Sequence, residues 1–274
     1  MDQSSITVEQ LKHVTAEQVE EMVDTAVRAF AGDNAHRAML GGNWSIHHML
    51  FRGMVRASEL AGEIYVVRNA DKTRILSCGF WFRPGTGLFG TEEQKALGFN
   101  DFFDKLSPET QYWWKHPYPE CFSNIIDGMW TKDEIAKRWW CFHLCTDPLH
   151  QNRGYAKAIV NFICEKAERR GEIIGLATPS ELNVRKYVAM GLHERGHVFL
   201  DDPTDDQPAV AATIEIPVDS RRSYQKIPSI YTVLIPLNLA VLTLVVDRGT
   251  LRVRTFHHGA VPLRPNEPKA GGRT

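Results

Sequence analysis

The feature that most constrains how this chain folds is an apolar strand that leads through a glycine-containing loop straight into a helix. Residues 139–145 form a continuous apolar run, and residues 151–156 then read Gln-x-x-Gly-x-Ala. Such a loop leaves backbone N–H groups free at a helix start, where the helix dipole adds partial positive charge. Gly154 has no Cβ, so the backbone can approach a ligand closely. The segment predicts a cradle for a pyrophosphate, without the Gly-Lys-Ser/Thr of a P-loop or the first glycine of a dinucleotide fingerprint.

The residues around this loop predict one β-α-β unit. Pro148 ends the first strand, because proline cannot donate to a strand ladder. Residues 173–177 read as the next strand, and Gly171 marks the end of the helix before it. A helical crossover makes the two strands parallel and the connection right-handed. The apolar stripe of the helix consists of Ala156, Ile159, Val160, Ile163 and Ala167.

A second block of residues follows this unit. Asn183, Tyr187 and Gly191 recur every four residues, which puts Asn183 and Tyr187 on one face of a short helix. Together the two blocks resemble the GNAT N-acetyltransferases, whose signatures are Gln/Arg-x-x-Gly-x-Gly/Ala and Asn-x-x-x-Tyr-x-x-x-Gly-Phe. The chain departs from the second signature at Leu192, where phenylalanine is usual; this changes packing rather than chemistry. The resemblance extends over residues 6–217 and is closest over 139–192.

The resemblance implies an α/β protein with the GNAT acyl-CoA N-acyltransferase fold, a mixed central sheet flanked by helices. Thr15 and Gln18 predict a capping box at the start of the first helix. The polar, glycine-rich residues 31–43 predict a turn before a second helix over 45–61. A helical insertion over residues 86–137 separates the third and fourth strands.

Two final strands, 192–200 and 209–216, are expected around an acidic loop that contains Asp201 and Asp202. The sequence therefore predicts a GNAT domain over residues 1–220. Residues 221–274 form a basic C-terminal extension, with 9 Lys and Arg against 2 Asp and Glu.

The resemblance implies acetyl-CoA as the co-substrate and assigns its contacts. Backbone groups where the two parallel strands part, near Leu144 and Ala177, pair with the pantetheine arm, and the loop holds the pyrophosphate. The implied cofactor-binding residues are Leu144, Cys145, Thr146, Gln151, Asn152, Arg153, Gly154, Tyr155, Ala156 and Asn183.

For catalysis, Tyr187 is the expected donor of a proton to the leaving thiolate, and a buried tyrosine that closes the core is the alternative. The base is either His143, whose ordinary pKa suits the task, or a water chain to carboxylates at the acceptor mouth. An oxyanion donor is expected from a backbone N–H near Leu144. Cys145 as an acylated nucleophile is a further alternative, but direct transfer is preferred because no His–carboxylate support is evident.

A metal is not expected. Cys141, His143 and Cys145 fall on one face of a regular strand, but successive same-face residues lie about 6.6 Å apart and do not readily converge on one ion. The aromatic residues of the insertion are interpreted as packing residues, with a role in shaping the acceptor pocket as the alternative. They are Tyr112, Trp113, Trp114 and Trp130.

The composition indicates which class of protein this is and in which compartment it is expected. With 274 residues of which 43% are apolar, the chain can bury a sizeable core, and its net charge of −1 argues against a general nucleic-acid binder. Five cysteines without regular spacing do not suggest a disulfide framework, and residues 1–5 show no secretion signal. A cytoplasmic location is the expectation.

The extension contains an uncharged stretch, residues 227–246, that is long enough to span a bilayer. Pro236, Asn238 and many β-branched residues argue against a span, so membrane contact is not favoured. A packed or disordered appendage is preferred, and a misread exon boundary is the third alternative.

The leading hypothesis is an N-acetyltransferase that moves an acetyl group from acetyl-CoA to a primary amine of a small molecule, by direct attack in a ternary complex. One alternative is a catalytically silent CoA-binding module. The other is a membrane-tethered protein whose tail sets its role.

Overall fold

The structure is a computed structural model that describes residues 6–121, 126–200, 203, 210–217, 230–233, 241–247 and 250–256. The chain divides into two compact units, Met1–Ser220 and Arg221–Thr274. Among the described residues, no helix is both long enough and apolar enough to cross a bilayer.

The first unit is built on a seven-stranded mixed sheet with the order β1-β2-β3-β4-β5-β7-β6. Only β4 and β5 pair in parallel, and the remaining neighbours are antiparallel. The strands are β1 (Val8–Leu11), β2 (Glu63–Arg68), β3 (Ile75–Phe82), β4 (Arg138–Thr146), β5 (Ile173–Thr178), β6 (Leu192–Leu200) and β7 (Val210–Pro217).

Helices cover both faces of this sheet. Five of those described here are short and lie between β3 and β4, within the predicted insertion. The helices are α1 (Ala16–Ala29), α2 (Asn34–Leu40), α3 (His47–Ala61), α4 (Glu92–Ala96), α5 (Phe99–Phe103), α6 (Pro108–Lys115), α7 (Pro117–Glu120), α8 (Lys132–Ile135), α9 (Tyr155–Glu168) and α10 (Glu181–Val188).

The start of α1 follows the prediction. Thr15 Oγ1 accepts from the backbone N–H of Gln18 at 3.3 Å, and the Gln18 side chain accepts from the backbone N–H of Thr15 at 3.0 Å. The two bonds satisfy two donors that a helix otherwise leaves open. The capping box is therefore confirmed.

The predicted turn over residues 31–43 is wrong in part, because it contains the helix α2. Asp33 caps this helix by accepting from the backbone N–H of His36 at 3.0 Å. Gly41, with φ of 58°, ends it in the left-handed region. Gly41 therefore terminates a helix and does not belong to a simple turn.

Two apolar layers lie on opposite faces of the sheet. On one face α1 and α3 pack against β2 and β3, and residues such as Met22, Phe51 and Phe80 are fully buried. On the other face α9 packs through Ile159, Val160, Ile163 and Ala167, all buried. Complete burial of one such aliphatic or aromatic side chain contributes about 1.5–3 kcal/mol.

The predicted β-α-β unit is confirmed. β4, α9 and β5 follow one another, and β4 pairs with β5 in parallel from Arg138 opposite Ile173 to Cys141 opposite Leu176. The predicted stripe of α9 faces the sheet, except that Ala156 is only partly buried.

The second unit contains an antiparallel sheet of three strands, β8 (Ile230–Val233), β9 (Val241–Asp247) and β10 (Thr250–Phe256). The described parts of the uncharged stretch 227–246 are thus strands. The expected acidic loop at Asp201 and Asp202 lies outside the described residues, as do 221–229, 234–240, 248–249 and 257–274.

Candidate functional site

β4 and β5 stop pairing before either strand ends, and we call the gap beyond their last pair the slot. The last pair is Cys141 with Leu176, whereas β4 continues to Thr146 along β3. Backbone groups of β4 beyond Cys141 are therefore not paired with β5 in the described sheet. The strands part before Leu144 rather than at it, so the slot begins slightly earlier than the sequence suggested.

A β-bulge at Phe142 accompanies this parting. Phe80 of β3 lies opposite His143 while Trp81 lies opposite Cys141, so Phe142 is the extra residue. A bulge bends its strand and changes which side chains face which side. It explains why β4 leaves β5 at this point.

The bulge also corrects the predicted facing of β4. Cys141 and Leu144 pack with the α9 layer, whereas Cys145 belongs to the α1 and α3 layer. The prediction that Cys141, His143 and Cys145 share one face is therefore wrong, because the even alternation it assumed is interrupted at Phe142.

The loop between β4 and α9 has the geometry of an anion cradle. Asn152 and Gly154 both adopt positive φ, at 61° and 86°. Gly154 immediately precedes α9, and its carbonyl accepts from the backbone N–H of Ala158 at 2.9 Å. Residues 151–154 are exposed, and the first N–H groups of α9 have no partner one turn earlier within the helix.

The second block lies on α10. Ser180 caps the helix by accepting from the backbone N–H of Asn183 at 3.4 Å. Tyr187 is half-buried and packs against the α9-side cluster, which also contains Cys141 and Leu176, the last residue pair before the slot. The structure thus brings Tyr187 to the same layer as the base of the slot.

Comparison with known proteins identifies the fold of the chain. No protein-family model matches the sequence, and no curated protein matches it. Among solved structures, one from Corynebacterium glutamicum, of the histone acetyltransferase HPA2 and related acetyltransferases, aligns with a TM-score of 0.52 at 19% identity. The match covers 80% of this chain and 99% of that chain.

The chain has the GNAT acetyltransferase fold. Two further structures of acetyltransferases match with lower scores. Arylalkylamine N-acetyltransferase 2 from Aedes aegypti has a TM-score of 0.48 at 12% identity, covering 77% of this chain and 98% of that chain. Polyamine N-acetyltransferase from Drosophila melanogaster has a TM-score of 0.48 at 10% identity, covering 77% and 99%.

One residue that the sequence reasoning missed anchors the loop of this GNAT fold. Asp147 is completely buried and accepts from Arg28 of α1 and Arg74 near β3, each at 2.8 Å. It also accepts from the backbone N–H of Leu149 at 2.9 Å. Burial raises the pKa of Asp147, but the hydrogen bonds from Arg28, Leu149 and His150 outweigh it and hold this pKa below its ordinary value.

His143 is enclosed rather than exposed to the slot. Its side chain is buried, and its Nε2 has no hydrogen-bond partner among the described residues. Three aromatic rings surround it, with centroid distances between 4.7 and 5.1 Å; these are Phe30, Phe51 and Phe80. This environment suits a core residue better than a base that must reach an amine.

Two more histidines lie in the same layer. His36 Nδ1 is 3.0 Å from Asp33 Oδ1, and the His36 and His47 rings are 5.2 Å apart. Burial and then the neighbouring His36 ring lower the pKa of His47 to about 3. His47 is therefore neutral at physiological pH.

Cys145 has partners that the sequence did not reveal. Its Sγ lies 3.5 Å from Cys78 Sγ, and its carbonyl accepts from Ser77 Oγ at 2.6 Å. The hydrogen bond from Cys78 and the nearby His143 lower the pKa of the Cys145 thiol, although burial opposes them. The thiol faces the α1 and α3 layer and is almost completely buried.

The aromatic residues of the insertion mainly pack. Trp113 and Trp130 are buried in separate small clusters, and Trp114 Nε1 donates to the carbonyl of Met39 at 2.8 Å. Of the four predicted aromatic residues, only Tyr112 is well exposed. These positions support the packing interpretation for the tryptophans.

Proposed function

We propose that this protein is an N-acetyltransferase that transfers an acetyl group from acetyl-CoA to a primary amine of a small molecule. The observation that carries the proposal is the parting of β4 and β5 along the strand that leads to the exposed loop 151–154, within a GNAT fold. An extended arm that ends in a pyrophosphate fits a slot that leads to a helix start.

Different residues of the chain bind different parts of acetyl-CoA. The pantetheine arm runs along Leu144, Cys145 and Thr146 and hydrogen-bonds those backbone groups there that neither β3 nor β5 pairs. The pyrophosphate binds the N–H groups of Gln151, Asn152, Arg153, Gly154, Tyr155 and Ala156, and Asn183 is assigned to the acetyl-CoA site as well. The buried Asp147 holds this loop in shape through Arg28 and Arg74.

The reaction follows from this arrangement. The amine nitrogen attacks the thioester carbon, and a backbone N–H near Leu144 stabilises the oxyanion. The C–S bond then breaks, and Tyr187 gives its phenolic proton to the departing thiolate of CoA. Solvent returns a proton to Tyr187, while the amide nitrogen loses one.

The base is assigned to water that leads to carboxylates at the acceptor mouth rather than to His143. The enclosure of His143 by three rings supports this choice, because a general base must reach the proton directly or through one water. Cys145 as an acylated nucleophile is disfavoured for the same reason, since its thiol is buried in the α1 and α3 layer.

An amine-panel assay tests the function. The purified full chain is incubated with acetyl-CoA and each amine, and release of the free CoA thiol is followed. The proposal is supported if at least one amine causes release of the CoA thiol and no thiol is released when that amine is omitted. If acetyl-CoA binds in calorimetry while no amine releases thiol, the protein is the silent CoA-binding module instead.

A further inference from the structure

Three metal-ligating side chains converge between β3 and β4 on the face covered by α1 and α3. They are Cys78, His143 and Cys145, and their ligand atoms all lie within 4.8 Å of one another. The two sulfur atoms are 3.5 Å apart. Convergence of this kind is not available to residues of a single regular strand, which are spaced too widely.

Strand register produces the cluster. Cys78 lies directly opposite Cys145 in the antiparallel pair of β3 and β4. The bulge at Phe142 turns His143 toward the same layer as Cys145 and leaves Cys141 in the α9 layer. Two strands thus supply three ligands, and the nearby Cys141 is excluded.

The distance between the two sulfur atoms is close to that of an occupied site. Two thiolates bound to one tetrahedral zinc at about 2.3 Å each are separated by about 3.8 Å. The sulfur atoms of Cys78 and Cys145 need to move apart by only a few tenths of an ångström to reach it. Backbone rearrangement is therefore not required to bring the two sulfurs onto one ion.

Charge and chemistry select the ion. All three side chains are buried in an aromatic and aliphatic layer, where an uncompensated charge is costly. Two thiolates and one neutral imidazole cancel the charge of a divalent cation completely. Thiolate and imidazole donors favour zinc over magnesium or calcium.

His143 provides an independent observation. Its side chain is 4% exposed, and its Nε2 has no hydrogen-bond partner among the described residues. Buried polar atoms normally have partners, so an unpartnered nitrogen on a ring whose ligand atom lies within 4.8 Å of two sulfur atoms calls for an explanation. Ligation of a metal ion through Nε2 supplies one, because either ring nitrogen of a neutral imidazole can bind a metal.

We propose that Cys78, His143 and Cys145 bind one zinc ion that joins β3 to β4 behind the slot. Binding forms two Zn–S bonds and one Zn–N bond and releases the two thiol protons to solvent. The fourth position is left to water, as in zinc sites with three protein ligands. This inference is independent of the proposed acetyl transfer.

The test uses the full chain and zinc itself. The protein is stripped with a chelator, loaded with zinc chloride, freed of excess and analysed for metal by mass spectrometry. About one zinc per chain is expected. Cys78→Ser and Cys145→Ser should each weaken zinc binding by at least about tenfold, because even an outer-shell partner contributes 10–100-fold. Cys141→Ser and Cys164→Ser are the matched controls and should retain the zinc.

A second measurement needs no variant. Replacement of zinc by cobalt in the wild-type chain should produce thiolate-to-cobalt charge-transfer absorption, and zinc should raise the melting temperature. Absence of that absorption, or metal loss in Cys141→Ser equal to that in Cys78→Ser, would overturn the proposal. The cysteines would then be ordinary small apolar core residues.

Discussion

Gly154 offers the sharpest test of the pyrophosphate site, because charge can be separated there from backbone strain. Its φ is 86°, and a Cβ built on it meets only Ile6 Cδ1, at an ordinary 3.5 Å. A Cβ at this position therefore meets no clash, but a residue other than glycine must adopt the left-handed conformation, which costs about 1–2 kcal/mol. Gly154→Ala and Gly154→Asp both carry a strain cost, which is smaller for Asp, so the comparison understates the effect of the negative charge that only Asp adds.

The magnitude follows from Coulomb's law. Two like charges about 5 Å apart repel by about 0.8 kcal/mol at the permittivity of water and about 3 kcal/mol at an effective permittivity of 20. Because the loop is exposed, the lower value applies. Two phosphate charges then give about 1.6 kcal/mol, which weakens acetyl-CoA binding by somewhat more than tenfold.

Calorimetric titration with acetyl-CoA measures this difference, and thermal melting checks that both variants fold. Gly154→Asp should bind at least about tenfold more weakly than Gly154→Ala, and the gap should narrow as salt is added. Equal affinities of two folded variants would refute the assignment of the loop to the pyrophosphate.

Three further predictions concern the remaining parts of the chain. Tyr187→Phe should lower turnover by about 10²–10⁴ with little change in acetyl-CoA affinity, as kinetics on an accepted amine would show; a smaller loss would mean that water protonates the thiolate. A chain that ends at Ser220 should fold and bind acetyl-CoA as the full chain does, and a much lower melting temperature would contradict this. Asp147→Asn should destabilise the fold by about 1–3 kcal/mol near neutral pH in denaturant titrations. Because the folded pKa of Asp147 is lowered, this contribution exists above the unfolded value of about 3.9 and disappears as pH falls through the folded value, so wild type and variant should converge in acid.

Structural features that depend on residues close together in the chain could be predicted from the sequence. Thr15 and Gln18 sit at the spacing of a capping box, and the structure contains that box. The strand, loop and helix around Gly154 were readable because glycine, proline and helical periodicity all mark them. The bounds of β6 agree as well, since Gly191 precedes it.

Features that depend on distant residues were not readable. Asp33 and Gly41 are ordinary cap residues, yet α2 was missed because neighbouring glycines suggested a turn. The partners of Asp147 come from residues far away in the chain, Arg28 and Arg74. Cys78 could not be associated with Cys145 before the register of β3 and β4 was known.

The bulge at Phe142 connects several of these findings. Residues on both sides of it are apolar, so no change of residue type marks the point where alternation resets. One extra residue separates β4 from β5, which opens the slot, and turns His143 and Cys145 toward α1 and α3. The same displacement encloses His143 among three aromatic rings and places it beside two thiols. The slot and the proposed zinc site are thus two consequences of a single irregularity in β4, one on each side of the strand.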